Sequence, residues 1–223
     1  MLVMGLDTAL KRCSVAIIRG DEVLADESVG LERGHAERLA PMAAAALARA
    51  GVKIRDLDRV GVVAGPGGFT GVRVALSFAR GLGLGTGLPI VGVTSLAALA
   101  ANVAAPLIAP VIDARRGQVY AGLYGAHAEI ILPPFVSTPE EALMLLAEKA
   151  AGAPLVLTGS GAALLTPKPA DWSVAGGEDI DAKAVARLAA AAPAPTAPPA
   201  PLYLRAPDAK PGKPGLFESA AGS

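Results

Sequence analysis

Gly65-Pro66-Gly67-Gly68-Phe69-Thr70-Gly71-Val72-Arg73 follows the apolar run Arg59 to Ala64. Its glycines invite a phosphate-loop reading, but the spacing refuses it. A P-loop carries lysine and then serine or threonine after its last glycine, to reach phosphate and magnesium. Here Val72 and Arg73 follow Gly71. A dinucleotide fingerprint would need a small residue where Thr70 stands. What remains is a strand, a glycine-rich turn and a helix running from about Thr70 to Gly81. Two readings of that junction stay open. The exposed N–H groups of the helix start could hold an anion, or the turn is structural, with Thr70 as N-cap.

Upstream, three strands are expected: Leu2 to Leu6, Cys13 to Ile18 and Glu22 to Ser28, the last two joined by a Gly20-Asp21 hairpin. Leu39, Met42, Ala43, Ala46, Leu47 and Ala50 recur at three-and-four spacing, predicting a helix over His35 to Ala50 that Gly51 stops. Pro41 inside it predicts a kink or a late start. Downstream, strands are expected over Leu88 to Val93, Leu107 to Ala114, Gln118 to Tyr124, Glu129 to Leu132 and Leu155 to Thr158. Helices are expected over Ser95 to Val103, Pro139 to Ala151 behind a Thr138 cap, and Asp181 to Ala191. Three strands followed by a helix occur twice, which suggests two related lobes: residues 1–105 and a smaller one over 106–191. Residues 192–223 are rich in proline and alanine and read as a poorly ordered tail, apart from Leu202-Tyr203-Leu204-Arg205.

The 223 residues are 52% hydrophobic but only 4% aromatic, so the core is built from small side chains. Twenty basic and twenty acidic residues cancel, leaving no global field to draw in nucleic acid or anionic lipid. Gly81 to Ile112 holds no charge, yet Pro89, Pro106 and Pro110 break it, and it reads as buried strands and a helix rather than a membrane span. The N-terminus lacks the order of a signal peptide, so cytoplasm is the expectation. Cys13 is the only cysteine and reads as a small buried residue. His35 and His127 cannot by themselves form a zinc site, and Leu39, four residues after His35, removes the helical metal pair. No metal, cofactor or catalytic residue is expected.

In order along the chain, several segments resemble the TsaB (YeaZ) family of the bacterial threonylcarbamoyladenosine pathway. They are Gly5 to Ala9 with Cys13 to Ala16, His35 to Pro41, Ala64 to Arg73, Gly92 to Leu96, Asp113 to Arg115 with Val119-Tyr120, and Pro201 to Arg205. The resemblance implies an α/β, two-lobed fold of the actin-like, sugar-kinase-like ATPase type, with ribonuclease H-like lobes of mixed sheets flanked by helices. It implies a non-catalytic subunit that binds and activates a TsaD-like transferase, with a TsaE-like P-loop ATPase joining the pair. By the same resemblance the chain is a homodimer when alone and meets tRNA only through the complex. In actin-like ATPases a carboxylate at the first strand end faces magnesium. Here Asp7-Thr8-Ala9 lacks the glycine that usually follows it, so Asp7, Thr8, Gly67 and Asp113 are expected as a vestigial nucleotide cleft.

The family's dimer surface uses the first two helices, which makes His35, Leu39, Met42, Ala43, Ala46, Leu47, Thr70, Val72 and Arg73 the expected partner interface. The same apolar face could instead cover the chain's own sheet, as a flanking helix must. A competing function is an enzyme of this fold acting alone, a small-molecule kinase or a glycoprotease. A kinase would want a glycine after Asp7 and a second phosphate loop after Asp113. A protease would want a metal pair or an activated nucleophile, which Cys13, His35 and His127 do not assemble.

Overall fold

The computed structural model describes residues 1–205; the expectation for the tail beyond Arg205 lies outside the described residues. Two five-stranded mixed sheets carry the fold. The first contains β1 (Leu2–Asp7), β2 (Arg12–Arg19), β3 (Glu22–Gly30), β4 (Arg59–Gly65) and β5 (Ile90–Thr94) in the order β3-β2-β1-β4-β5. The second contains β6 (Leu107–Arg115), β7 (Gln118–Gly125), β8 (Ile130–Ser137), β9 (Val156–Thr158) and β10 (Ser173–Val174) in the order β10-β9-β6-β7-β8. In each, the first three strands in sequence pair antiparallel and the remaining two add in parallel. One topology is therefore used twice, as the repeated element order suggested.

Helices α1 (His35–Ala50), α2 (Phe69–Thr86), α3 (Ser95–Ala100), α4 (Pro139–Ala150) and α5 (Ala182–Ala191) flank the sheets. α1 starts at His35 with Pro41 inside it, so there is no late start. Its buried Leu39, Ala43 and Ala46 lie over β2 and β3. α4 opens on a reciprocal cap: Thr138 Oγ1 accepts from the Glu141 N–H while the Glu141 carboxylate accepts from the Thr138 N–H.

α5 departs from the expected division. Although it follows the second sheet in sequence, it packs on β1, β2 and β4 of the first. Glycine is what lets it seat there. A Cβ at Gly5 would stand 2.1 Å from the Ala182 carbonyl oxygen, and one at Gly61 would stand 2.6 Å from the Ala189 Cβ. The alanine-rich sequence of α5 and these two glycines bring helix backbone directly onto sheet backbone. A side chain on the sheet would push the two apart.

Residues 192–205 form neither helix nor strand, as expected, but they are held in place. The Ala192 carbonyl accepts from Arg59 Nη1, the Pro199 carbonyl from Arg80, and the Leu202 N–H donates to the Ala64 carbonyl at 2.7 Å.

Candidate functional site

Between the two sheets lies a cleft of about 740 Å³. The first sheet's side contributes Ala9, Lys11 and the turn from Pro66 to Phe69; the second contributes Ile112, Asp113, Arg115, Tyr120 and Ser160. Leu202 to Arg205 close one side and Glu178-Asp179 another.

The glycine turn reaches this cleft by docking on the end of β1. The Gly68 N–H donates to the Ala9 carbonyl at 2.8 Å, and the Val72 N–H returns to the Gly68 carbonyl. The helix therefore begins at Phe69 with Gly68 as its cap residue, and Thr70 is not the N-cap the sequence suggested. A Cβ at Gly67 would meet the Ala9 carbonyl oxygen at 2.6 Å, and one at Gly71 would meet the Thr8 carbonyl oxygen at 1.9 Å. Thr8 completes the joint by donating its hydroxyl to the Gly71 carbonyl at 2.7 Å. The glycines are required because backbone meets backbone, and the Gly68 N–H is already occupied by the chain itself.

The four expected cleft residues part company. Gly67 and Asp113 line the cleft. Asp113 accepts from the Arg115 N–H at 2.7 Å, and its other carboxylate oxygen lies 3.3 Å from the Arg115 guanidinium. Thr8 is buried and spent on Gly71. Asp7 is wholly buried: Oδ1 accepts from the Ala9 N–H, and Oδ2 has no hydrogen-bonding partner among the described residues. Burial pushes its carboxyl up to about 7, with the Ala9 N–H opposing that shift and the Asp179 carboxylate adding to it. Asp7 ends β1 and Asp113 lies two residues before the end of the equivalent strand β6, but only Asp113 faces the open cleft.

The expected interface residues divide in the same way. Leu39, Ala43, Ala46 and Val72 lie inside the chain's own core, which corrects their assignment to a partner surface. His35, Met42 and Leu47 are half-buried; Thr70 and Arg73 are exposed. What α1 and α2 present outward is another set. Ala36, Ala40, Ala44 and Ala48 are exposed at four-residue steps along one side of α1. Between the helices runs a groove of about 470 Å³ lined by Ala36, Leu39, Phe69, Val74, Ser77 and Phe78. Phe69 is half exposed, and Leu84 farther along α2 is 91% exposed. The exposed alanines carried a signal in sequence, since they recur at four-residue spacing beside the buried stripe.

Cys13 is fully buried, and burial foremost, with Asp7 nearby, pushes its thiol up to about 11. A thiol in that state is a poor nucleophile at neutral pH. Among the described residues no group of three or more His, Cys, Asp or Glu is placed to hold a metal ion, and no helix is long and apolar enough to cross a membrane.

A family model described as TsaD, tRNA N6-adenosine threonylcarbamoyltransferase, matches residues 29–211. The Bacillus subtilis tRNA threonylcarbamoyladenosine biosynthesis protein TsaB is 38% identical over 126 residues, an alignment covering 56% of this chain and 55% of that protein. The chain thus spans about half the length of that relative. A crystal structure described as an uncharacterized protein with similarity to peptidase YEAZ, from Pseudomonas aeruginosa, superposes with a TM-score of 0.79 at 31% identity, over 92% of this chain and 99% of that one. Component A of the (R)-2-hydroxyglutaryl-CoA dehydratase of Acidaminococcus fermentans superposes with a TM-score of 0.51 at 9% identity, over 84% of this chain and 97% of that one, and shares the fold alone.

Proposed function

The chain belongs to the TsaB (YeaZ) family, and from that membership we propose that it serves tRNA threonylcarbamoyladenosine synthesis as a binding subunit that docks on and activates a TsaD-like transferase. The observation that carries this reading is the outward side of α1 and α2. Ala36, Ala40, Ala44 and Ala48 offer small side chains, and the groove that adjoins the stripe at Ala36 is lined by Phe69 and Phe78. Small residues let a partner's helices approach to about 8–10 Å, the spacing of a packed bundle. Aromatic and arginine side chains are also those on which interfaces concentrate their energy. Phe69 and Arg73 supply both.

The cleft supports the non-catalytic part. Its first-strand carboxylate is buried and its turn N–H is occupied by Ala9, so neither faces a ligand in the cleft. A TsaE-like P-loop ATPase joins the pair, tRNA is met only through the complex in the cytoplasm, and the α1–α2 side pairs with a second copy when the transferase is absent.

Ala44→Glu tests the proposal. Its exposed position leaves folding within about 0.5 kcal/mol of wild type, while a charge on the stripe is expected to weaken binding to a TsaD-like protein at least tenfold by calorimetric titration. Unchanged affinity with Ala44→Glu and with Ser77→Glu would remove this face as the docking surface.

A further inference from the structure

The segment after α5 crosses from one sheet to the other. Its first anchors are on the first lobe: Arg59 Nη1 donates to the carbonyls of Ala189 and Ala192 at 2.8 Å each, and Arg80 donates twice to the Pro199 carbonyl, at 3.1 and 2.7 Å. Pro199 also lies against Gly92 of β5, where a Cβ would come within 2.7 Å of it. At Leu202 the segment joins the end of β4, donating its N–H to Ala64.

Tyr203 then stacks on Phe69, with ring centroids 5.5 Å apart, and accepts a hydrogen bond from Arg73 Nε at 2.9 Å. The Arg73 guanidinium sits 3.7 Å from the centre of the Phe69 ring. Two residues later the segment has reached the second sheet. Arg205 Nη2 donates to the Arg115 carbonyl at 3.3 Å and to the Gln118 side-chain oxygen. Both acceptors flank the β6–β7 turn, whose Arg115, Arg116 and Gly117 all take positive φ.

We propose that residues 192–205 are a strap that spans the cleft and holds the two sheets at one opening, with the Phe69–Arg73–Tyr203 stack and the Arg205–Gln118 bond as its two fastenings. The composition suits that task. Pro193, Pro195, Pro198, Pro199 and Pro201 fix φ along the segment, so little chain entropy is lost in holding it extended. The two sheets share a core at Ile108, Ile112 and Tyr124 but face each other across the cleft, where a hinge motion would open or close it, and a stiff segment fixed on both sides opposes that motion. Phe69 lines both the cleft and the α1–α2 groove, so the strap's near fastening lies between them.

The test is a distance between the lobes in the full chain. Spin labels go on cysteines placed at Thr86 and Glu148, both exposed, while Cys13 is buried and out of reach of the reagent. The wild-type strap should give one narrow distance distribution. Arg205→Ala and Tyr203→Ala should each broaden it at least twofold, with far-ultraviolet circular dichroism unchanged. Gln118→Ala, which leaves the strap's own sequence intact and removes only its acceptor on the second sheet, should broaden it as Arg205→Ala does. A distribution that keeps its width and mean in Arg205→Ala and Gln118→Ala overturns the proposal, whatever the transferase binding shows.

Discussion

Asp7 is wholly buried and does not line the cleft it was expected to face. It sits where a strand-end carboxylate is expected, but α5 lies over β1 and the Asp179 carboxylate is near enough to act on it. With its ordinary value at 3.8 and its folded value at about 7, the folded state keeps a proton that the unfolded state has already released. Stability from this group is therefore complete below about pH 4 and is lost as pH rises toward 7, by up to about 4 kcal/mol. Asp7→Asn is expected to remove that dependence. The difference in unfolding free energy between wild type and variant should fall steadily across this range, and a flat difference would count against a buried, protonated carboxyl. Little of this was legible in sequence. Asp7 as a strand end was; its burial, and the Asp179 carboxylate that acts on it from far along the chain, were not. The Thr8–Gly71 bond is equally silent, because no spacing rule connects two residues 63 positions apart.

Elements were more legible than their ends. α2 was expected to stop at Gly81 but continues to Thr86 through Gly83 and Gly85. Glycine costs a helix about 1 kcal/mol relative to alanine, but at Gly83 a Cβ would meet the Ile90 side chain at 2.8 Å, so close packing on β5 decides the matter. β8 was expected to end at Leu132 and instead runs to Ser137 through Pro133 and Pro134. It is the edge strand of its sheet, where a missing N–H can face away from the ladder. α3 was expected to reach Val103 and stops at Ala100. The start of α4 was read correctly at Thr138, whose hydroxyl and Glu141 form the reciprocal cap. Thr138→Ala is expected to lower the unfolding free energy by about 1 kcal/mol in urea titration, and Thr138→Ser to retain most of it.

At the scale of the molecule, the repeated sheet topology was visible in outline, whereas the exchange of elements between the repeats was not. The hydrophobic cluster centred on the first sheet takes in Ile108 and Ile112 of β6 and Tyr124 of β7, as well as Val185 and Ala189 of α5. The other cluster contains Trp172, the only tryptophan. With the lobes sharing core residues in this way, unfolding should be one transition. Trp172 fluorescence, reporting on the second cluster, and far-ultraviolet circular dichroism, reporting on all helices, are expected to give the same urea midpoint. Midpoints that separate would show the lobes unfolding independently.

The return of α5 to the first sheet also sets an order of events during synthesis. When the ribosome has made β1 to β5 with α1 and α2, the faces of Gly5 and Gly61 that α5 will cover are still bare. They stay bare while the whole second sheet is translated. The first half of the nascent chain thus waits, with an apolar sheet face open to chaperones or to other chains, until residues 182–191 leave the exit tunnel and close it.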